Sequence, residues 1–388
     1  MEVGRPENRR LRIGLVGTFP PRPCGLATFT ADMGAALRGA GHVVDVVALI
    51  DDDDDPVDPL VAHRLIRHDV QSSREVAAAL SATVDVVLIE HEFGIFGGPD
   101  GRLLHELTDG LRVPYALTLH TVTGQFTAGQ RAALDRPMER ARAVLVFSED
   151  AAELLRAAAP SWGDRRCRVV PHGAPAELYA PPAPGVRAGL GLTPSDLVIT
   201  TFGLLSPGKG IEHAIAAAGA LRHVSDDVVY VVAGRTHPEV VRRRGERYRE
   251  QLQAQVLELG LEDVVVFRNW FHGVDELAAL LASSDVFLTP YSDAEQIVSG
   301  ALSFAIAAGV PFVSTPYRYA RELAARGCGL LVPFADPDSM AAALKEVLTD
   351  QTLRRRLSAQ ARVAGAGMSW PEVGRRTAAV LADIVCRA

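Results

Sequence analysis

Short runs of apolar, β-branched residues alternate along this chain with longer stretches rich in Ala, Leu and Arg. In the first half, the apolar runs predict strands over Arg12–Thr18, Val43–Ile50, Asp85–Glu90, Pro114–His120, Ala143–Ser148 and Arg168–Pro171. Helices are predicted between them over Thr28–Ala40, Arg74–Ala82 and Gln130–Ala141. The runs Val86-Val87-Leu88-Ile89 and Val144-Leu145-Val146-Phe147 are apolar at every position, the pattern of a parallel strand covered by helices on both faces. Strand–helix alternation repeated this often predicts a doubly wound α/β sheet.

The alternation stops at Ala180-Pro181-Pro182-Ala183-Pro184-Gly185, where proline can neither continue a helix nor occupy a central strand. It then resumes, with strands predicted over Leu197–Phe202, Val228–Ala233, Val264–Phe267, Asp285–Pro290, Pro311–Ser314 and Gly329–Val332. Ile211–Leu221, Glu246–Leu259, Val274–Leu281 and Ser339–Leu348 are the intervening helices. The expected architecture is α/β, with two Rossmann-like doubly wound domains facing a central cleft, over 1–180 and 181–368. A terminal helix follows over 369–388, with Ser369 as N-cap and Pro371 in the first turn. Ligands in such sheets bind beyond the carboxyl ends of the strands, so candidate chemistry is sought in the loops there.

Composition narrows the classes of function. Forty Lys and Arg against 47 Asp and Glu leave a net charge of −7 over 388 residues, so no excess of positive charge is available for a polynucleotide backbone. Hydrophobic residues at 48% and charged residues at 22% exclude a disordered chain. The start, Met1–Pro6, lacks the apolar core of a signal peptide. The longest apolar stretch, Ala301–Val313, is broken by Ser303, Gly309 and Pro311 and falls short of the roughly 20 residues a membrane span needs. A cytoplasmic protein is expected. Cys24, Cys167, Cys328 and Cys386 form no CxxC pair, so neither a zinc site nor a disulfide framework is indicated. The acidic run Asp51–Asp55 repels itself and reads as a solvated loop after a strand.

Several strand-end segments carry polar chemistry. Gly17-Thr18-Phe19-Pro20-Pro21-Arg22-Pro23-Cys24-Gly25 leads from a strand into a helix, and Gly25 leaves the amides there open to an anion or a sugar hydroxyl, or simply makes a turn. The GxGxxG spacing of a dinucleotide site is missing. Glu90-His91-Glu92-Phe93-Gly94 and His120 end two buried strands and suit a polar pocket. Phe202-Gly203-Leu204-Leu205-Ser206-Pro207-Gly208-Lys209-Gly210 combines small residues, a helix start and a full positive charge, parts that suit a diphosphate. Asp293-Ala294-Glu295-Gln296-Ile297-Val298-Ser299-Gly300 offers acceptors and donors for a hydroxyl-rich ligand, with amides for phosphate.

Together these segments resemble the GT-B glycosyltransferases, and most closely the large retaining family 4. The resemblance rests on the Lys209-Gly210 loop, the strand, Glu-bearing loop, small helix and Gly-x-Pro succession over 285–313, and the downstream Ser314-Thr315-Pro316-Tyr317, Glu322-Leu323 and Gly329-Leu330-Leu331-Val332-Pro333. It covers the chain from Gly14 to Trp370. It implies transfer of a hexose from a nucleotide diphosphate sugar, of the GDP-mannose or UDP-glucose type, to an acceptor hydroxyl, without a metal or other cofactor. By position, the resemblance makes Lys209, His120 and Glu295 catalytic. Gly25, Gly208, Lys209, Gln296, Ser299 and Gly300 would hold the donor, with Asn269, in the loop Phe267-Arg268-Asn269-Trp270, bordering the base. Glu90 and His91 would face the acceptor. Leu204 stands where the family carries an Arg, for which Arg235 is a candidate substitute. The family's second glutamate is absent: the positions counted for it hold Phe304 or Ser303. A nucleotide-sugar epimerase, a phosphorylase-like enzyme and a non-catalytic sugar-nucleotide binder remain open alternatives.

Overall fold

The computed structural model describes residues 9–162, 166–181, 183–269 and 273–387. Their strands are β1 (Arg12–Gly17), β2 (Val43–Ile50), β3 (Val61–Ile66), β4 (Val86–His91), β5 (Tyr115–Leu119), β6 (Ala143–Val146), β7 (Cys167–Val169), β8 (Leu197–Phe202), β9 (Val228–Ala233), β10 (Val265–Arg268), β11 (Val286–Thr289), β12 (Phe312–Ser314) and β13 (Gly329–Leu331).

They form two parallel sheets. One runs β3-β2-β1-β4-β5-β6-β7 and the other β10-β9-β8-β11-β12-β13. Each begins near its middle and winds outward both ways, so the direction of winding reverses between β1 and β4 and again between β8 and β11. A doubly wound sheet opens a crevice at that reversal, at the carboxyl edge. The expected α/β class and the two Rossmann-like halves are therefore present.

The central strands are continuous apolar runs because helices cover both faces. Val86, Val87, Leu88 and Ile89 of β4 are all fully buried, as are Ile199 of β8, Val232 of β9 and Leu288 of β11. β3 was absent from the expected strands. It alternates half-buried and exposed positions as an edge strand, and its Val61-Ala62-His63-Arg64-Leu65-Ile66 never becomes an apolar run.

Two compact units divide between Gly173 and Ala174, earlier than the proline-rich stretch suggests. The helix Trp370–Cys386 belongs to the first unit rather than standing apart. It closes against the helix Gly25–Gly39, where a Cβ on Gly374 would lie 2.7 Å from the Ala36 carbonyl. Trp370 also packs edge-on against Phe29, ring centroids 5.2 Å apart. The Asp51–Asp55 run forms the loop after β2, where Asp51 pairs with Arg22 and Arg67. No described helix is long and apolar enough to cross a membrane.

Candidate functional site

In the second unit, two loops flank the β8–β11 reversal. The first passes through a 3-10 turn, Pro207–Lys209, into the helix Ile211–Leu221. Gly210 joins the two with φ +62°, and a Cβ there would lie 2.0 Å from the Pro290 carbonyl oxygen just beyond β11. That approach locks the loops together, and only glycine supplies both the left-handed φ and the missing atom. The Ser292 amide adds a 3.1 Å hydrogen bond to the Gly208 carbonyl.

Tyr291 carries the contact further. Lys209 Nζ lies 3.7 Å from its ring centroid, and its hydroxyl lies 3.5 Å from Ser299 Oγ. Tyr317 stacks on its other side at 5.2 Å. Ser299 is the N-cap of the helix Gly300–Ala307, its hydroxyl accepting the Leu302 amide at 3.2 Å. The first amides of a helix have no partner within it and carry the positive end of its dipole. A cation and a helix N-terminus thus share one aromatic support, an arrangement that attracts an anion.

Glu295 and Gln296 lie between these features. The Glu295 side chain is about half exposed and accepts from Arg318 Nε at 2.9 Å. Gln296 spends its amide on the Val298 carbonyl, 2.9 Å away. The positions counted for a second glutamate are otherwise engaged. Ser303 is fully buried and bonded to the Ser299 carbonyl and the Tyr319 hydroxyl. Phe304 stacks on Phe202. Arg235 follows β9 with an exposed side chain, its carbonyl receiving the Leu205 amide of the lysine loop at 2.8 Å. Asn269 is exposed beyond β10, the outermost strand and two strands from β8. Trp270 lies outside the described residues.

The first unit repeats the plan at its own reversal. Gly25 is exposed and opens the helix Gly25–Gly39, which Cys24 caps through a 3.3 Å contact from the Ala27 amide to its Sγ. Beyond β4 and β5, Glu90 and His120 meet, with Oε2 2.9 Å from Nε2. Phe29 and Phe147 flank the imidazole edge-on at 4.7 and 5.0 Å.

The expectation that Glu90 and His91 face an acceptor needs correction. Both side chains are fully buried, Glu90 beneath His120 and His91 among Phe93 and Phe96. Burial, with the nearby His120 adding to it, pushes the His91 pKa down to about 3. The carboxylate of this segment that keeps solvent contact is Glu92, held by the Phe93 amide and the Thr121 hydroxyl, both at 2.7 Å. His172 joins the cluster from beyond β7, packed on Phe29 at 5.1 Å, with its pKa lowered by burial to about 4.

The structure thus brings together Gly208, Lys209, Ser299 and Gly300, with Glu295 and Gln296 alongside. Separately it joins Glu90 to His120. Sequence reasoning passed over Tyr291, Arg318, Glu92 and His172. Tyr291 and His172 stand just past strand ends and were findable by the criterion that singled out His120. Arg318 comes from a distant helix, and no local signal marks it. Among the described residues, no group of three or more His, Cys, Asp or Glu is placed to hold a metal ion. A cavity of about 810 Å³ between Tyr179, Pro311 and Arg362 opens at the amino edge of the second sheet and contains none of these residues.

A family model for group 1 glycosyl transferases matches residues 186–364, and one for glycosyltransferase family 4 matches residues 23–178. Among solved structures, a sucrose-phosphate synthase from Thermosynechococcus elongatus is 19% identical, with a TM-score of 0.79 over 98% of this chain and 100% of that one. HepE from Anabaena, solved with UDP-glucose, is 17% identical, with a TM-score of 0.75 over 96% and 100%. WaaG, a glycosyltransferase involved in lipopolysaccharide biosynthesis, is 18% identical, with a TM-score of 0.66 over 95% and 99%. No curated protein matches the sequence.

Proposed function

Because the chain belongs to the GT-B glycosyltransferases, we propose that it moves a hexose from a nucleoside diphosphate sugar to an acceptor hydroxyl, with retention at the anomeric carbon and without a metal. The observation that carries this reading is the pairing of Lys209 with the N-terminus of the helix Gly300–Ala307 across Tyr291. UDP-glucose is the first donor to test, since HepE binds it. GDP-mannose stands beside it from the resemblance alone.

In such a reaction the anomeric C–O bond breaks and negative charge collects on the departing diphosphate. Lys209 and the amides at Ser299 and Gly300 take up that charge, fixed in place before the bond breaks. The departing phosphate oxygen then accepts the proton of the incoming hydroxyl, so no separate general base is required. Glu295, oriented by Arg318, and Gln296 hold the hexose hydroxyls. Gly25 approaches the phosphate from the first unit, and His120 meets the sugar. Glu92, rather than Glu90 or His91, is the carboxylate that meets the acceptor.

The test is incubation with radiolabelled UDP-glucose and GDP-mannose, with and without a panel of hydroxyl acceptors, in buffer with and without EDTA. Label should enter an acceptor with its anomeric configuration unchanged by NMR, and EDTA should leave the rate intact. Acceptor-independent turnover of the donor would indicate an epimerase or hydrolase. Binding without any turnover would indicate a sensor.

A further inference from the structure

Glu90 is the least comfortable residue in the first unit. It stands in β4 amid a fully apolar strand, and its side chain is 0% exposed. One carboxylate oxygen meets His120 Nε2 at 2.9 Å. The other, Oε1, is buried and has no hydrogen-bond partner. A carboxylate buried with half its acceptors empty costs several kcal/mol relative to an apolar side chain of similar volume. Stability alone would therefore favour a leucine here. His91, the next residue, meets the same burial by remaining neutral, and both its ring nitrogens are also unpartnered.

The imidazole above Glu90 is confined. Phe29 and Phe147 stand edge-on to it at 4.7 and 5.0 Å. His172 lies against the same two phenyl rings. Glu92 is committed to the Phe93 amide and the Thr121 hydroxyl. His120 keeps 12% of its side chain exposed, and its Nδ1 is not among the buried unpartnered atoms. A carboxylate accepts and cannot donate, so it selects the ring form with hydrogen on Nε2. The lone pair of Nδ1 is then left on the atom that reaches solvent.

We propose that Glu90 is a positioning residue for the transfer reaction: by holding the Nε2 hydrogen of His120, it fixes the ring and presents Nδ1 as an acceptor for a hydroxyl of the sugar. A hydroxyl donating to Nδ1 is recognised, whereas a carbonyl or ether at that point finds no donor. Glu90 touches no substrate and acts only through His120. This inference rests on the glycosyl-transfer reading for its consequence, but not for its geometry.

Two measurements test it. Long-range proton–nitrogen NMR on the ¹⁵N-histidine-labelled protein should find His120 with hydrogen on Nε2 and a bare Nδ1; hydrogen on Nδ1 alone would overturn the proposal. This readout needs no turnover, so it stands even if no donor is ever transferred. The second is a cycle of Glu90→Gln, His120→Ala and the double variant, assayed for transfer. Outer partners of this kind contribute on the order of 10- to 100-fold where measured at metal-bound histidines, and a loss of that order in kcat is expected for Glu90→Gln, with the UDP dissociation constant unchanged. The double variant should be no worse than His120→Ala, because groups acting in series are not additive. Additive losses would show that Glu90 acts independently and would refute the proposal. Should Glu90→Gln fail to fold, the NMR measurement on the unaltered protein decides alone.

Discussion

Lys209 and Ser299 are tied together through one side chain: the ammonium sits 3.7 Å over the Tyr291 ring, and the Tyr291 hydroxyl lies 3.5 Å from the Ser299 hydroxyl. The two residues are ninety positions apart and occupy different loops. A cation held over a ring in this way is worth about 0.5–2 kcal/mol, enough to restrict a flexible lysine to one side of the loop while leaving its charge available.

Replacing Lys209 should therefore act on turnover and not on folding. Lys209→Ala is expected to lower kcat on the order of 100-fold, the loss of one preorganised charge contact at a developing anion. The midpoint of urea unfolding should stay within experimental scatter, because no ion pair anchors the side chain. A rate of nucleotide release equal to that of the unaltered protein would remove Lys209 from the reaction.

Ser299→Ala should show both kinds of effect. The hydroxyl caps the helix Gly300–Ala307, and losing such a cap costs about 1 kcal/mol. The unpartnered amides it orients should then hold UDP more weakly. Chemical denaturation reads the first effect and calorimetric titration with UDP the second. Unchanged UDP affinity would mean that the diphosphate does not meet this helix.

Gly210 and Gly191 make a matched pair. Both have φ in the left-handed region, +62° and +70°. A Cβ on Gly191 meets open space, whereas one on Gly210 meets the Pro290 carbonyl oxygen at 2.0 Å. Gly191→Ala should cost only the backbone term, about 1–2 kcal/mol. Gly210→Ala should cost clearly more and abolish transfer, because relieving the clash displaces Pro290 and hence Tyr291. Equal melting temperatures for the two variants would contradict this.

The buried histidines set an acid limit on stability. His91 and His172 have folded pKa values lowered to about 3 and about 4, against about 6.5 when unfolded. Above pH 6.5 both are neutral in either state and contribute no pH dependence. As pH falls below 6.5 the unfolded chain takes up protons that the folded chain refuses, so stability is lost, by up to about 1.4 kcal/mol per pH unit for each histidine. The loss levels off as pH passes through the folded values near 4 and 3. His91→Phe should flatten this limb, measured as the urea midpoint between pH 7 and 4.5; an unchanged slope would mean that His91 titrates normally.

The sequence alone determined the α/β class, the twofold repetition and most strand positions. A strand buried on both faces is written as a continuous apolar run, and the residues that end it are read directly from the chain. Val43–Ile50, Leu197–Phe202 and Val228–Ala233 needed no adjustment. The edge strand Val61–Ile66 was missed because one-sided burial leaves no such run. For the same reason the loops carrying Lys209, Ser299 and His120 were legible: they follow predicted strands and are rich in glycine and polar groups.

Only the tertiary structure decided which of these groups meet. Strand order puts β11 beside β8 and β5 beside β4, and neighbours in a wound sheet are not neighbours in sequence. That is why the partnerships of Lys209 with Tyr291, Glu295 with Arg318 and Glu90 with His120 could not be read from spacing. Burial is likewise a collective property. Glu90, His91 and Glu92 are consecutive and chemically alike, yet alternation along β4 and the packing of Phe93 and Phe96 seal the first two and leave the third in reach of solvent.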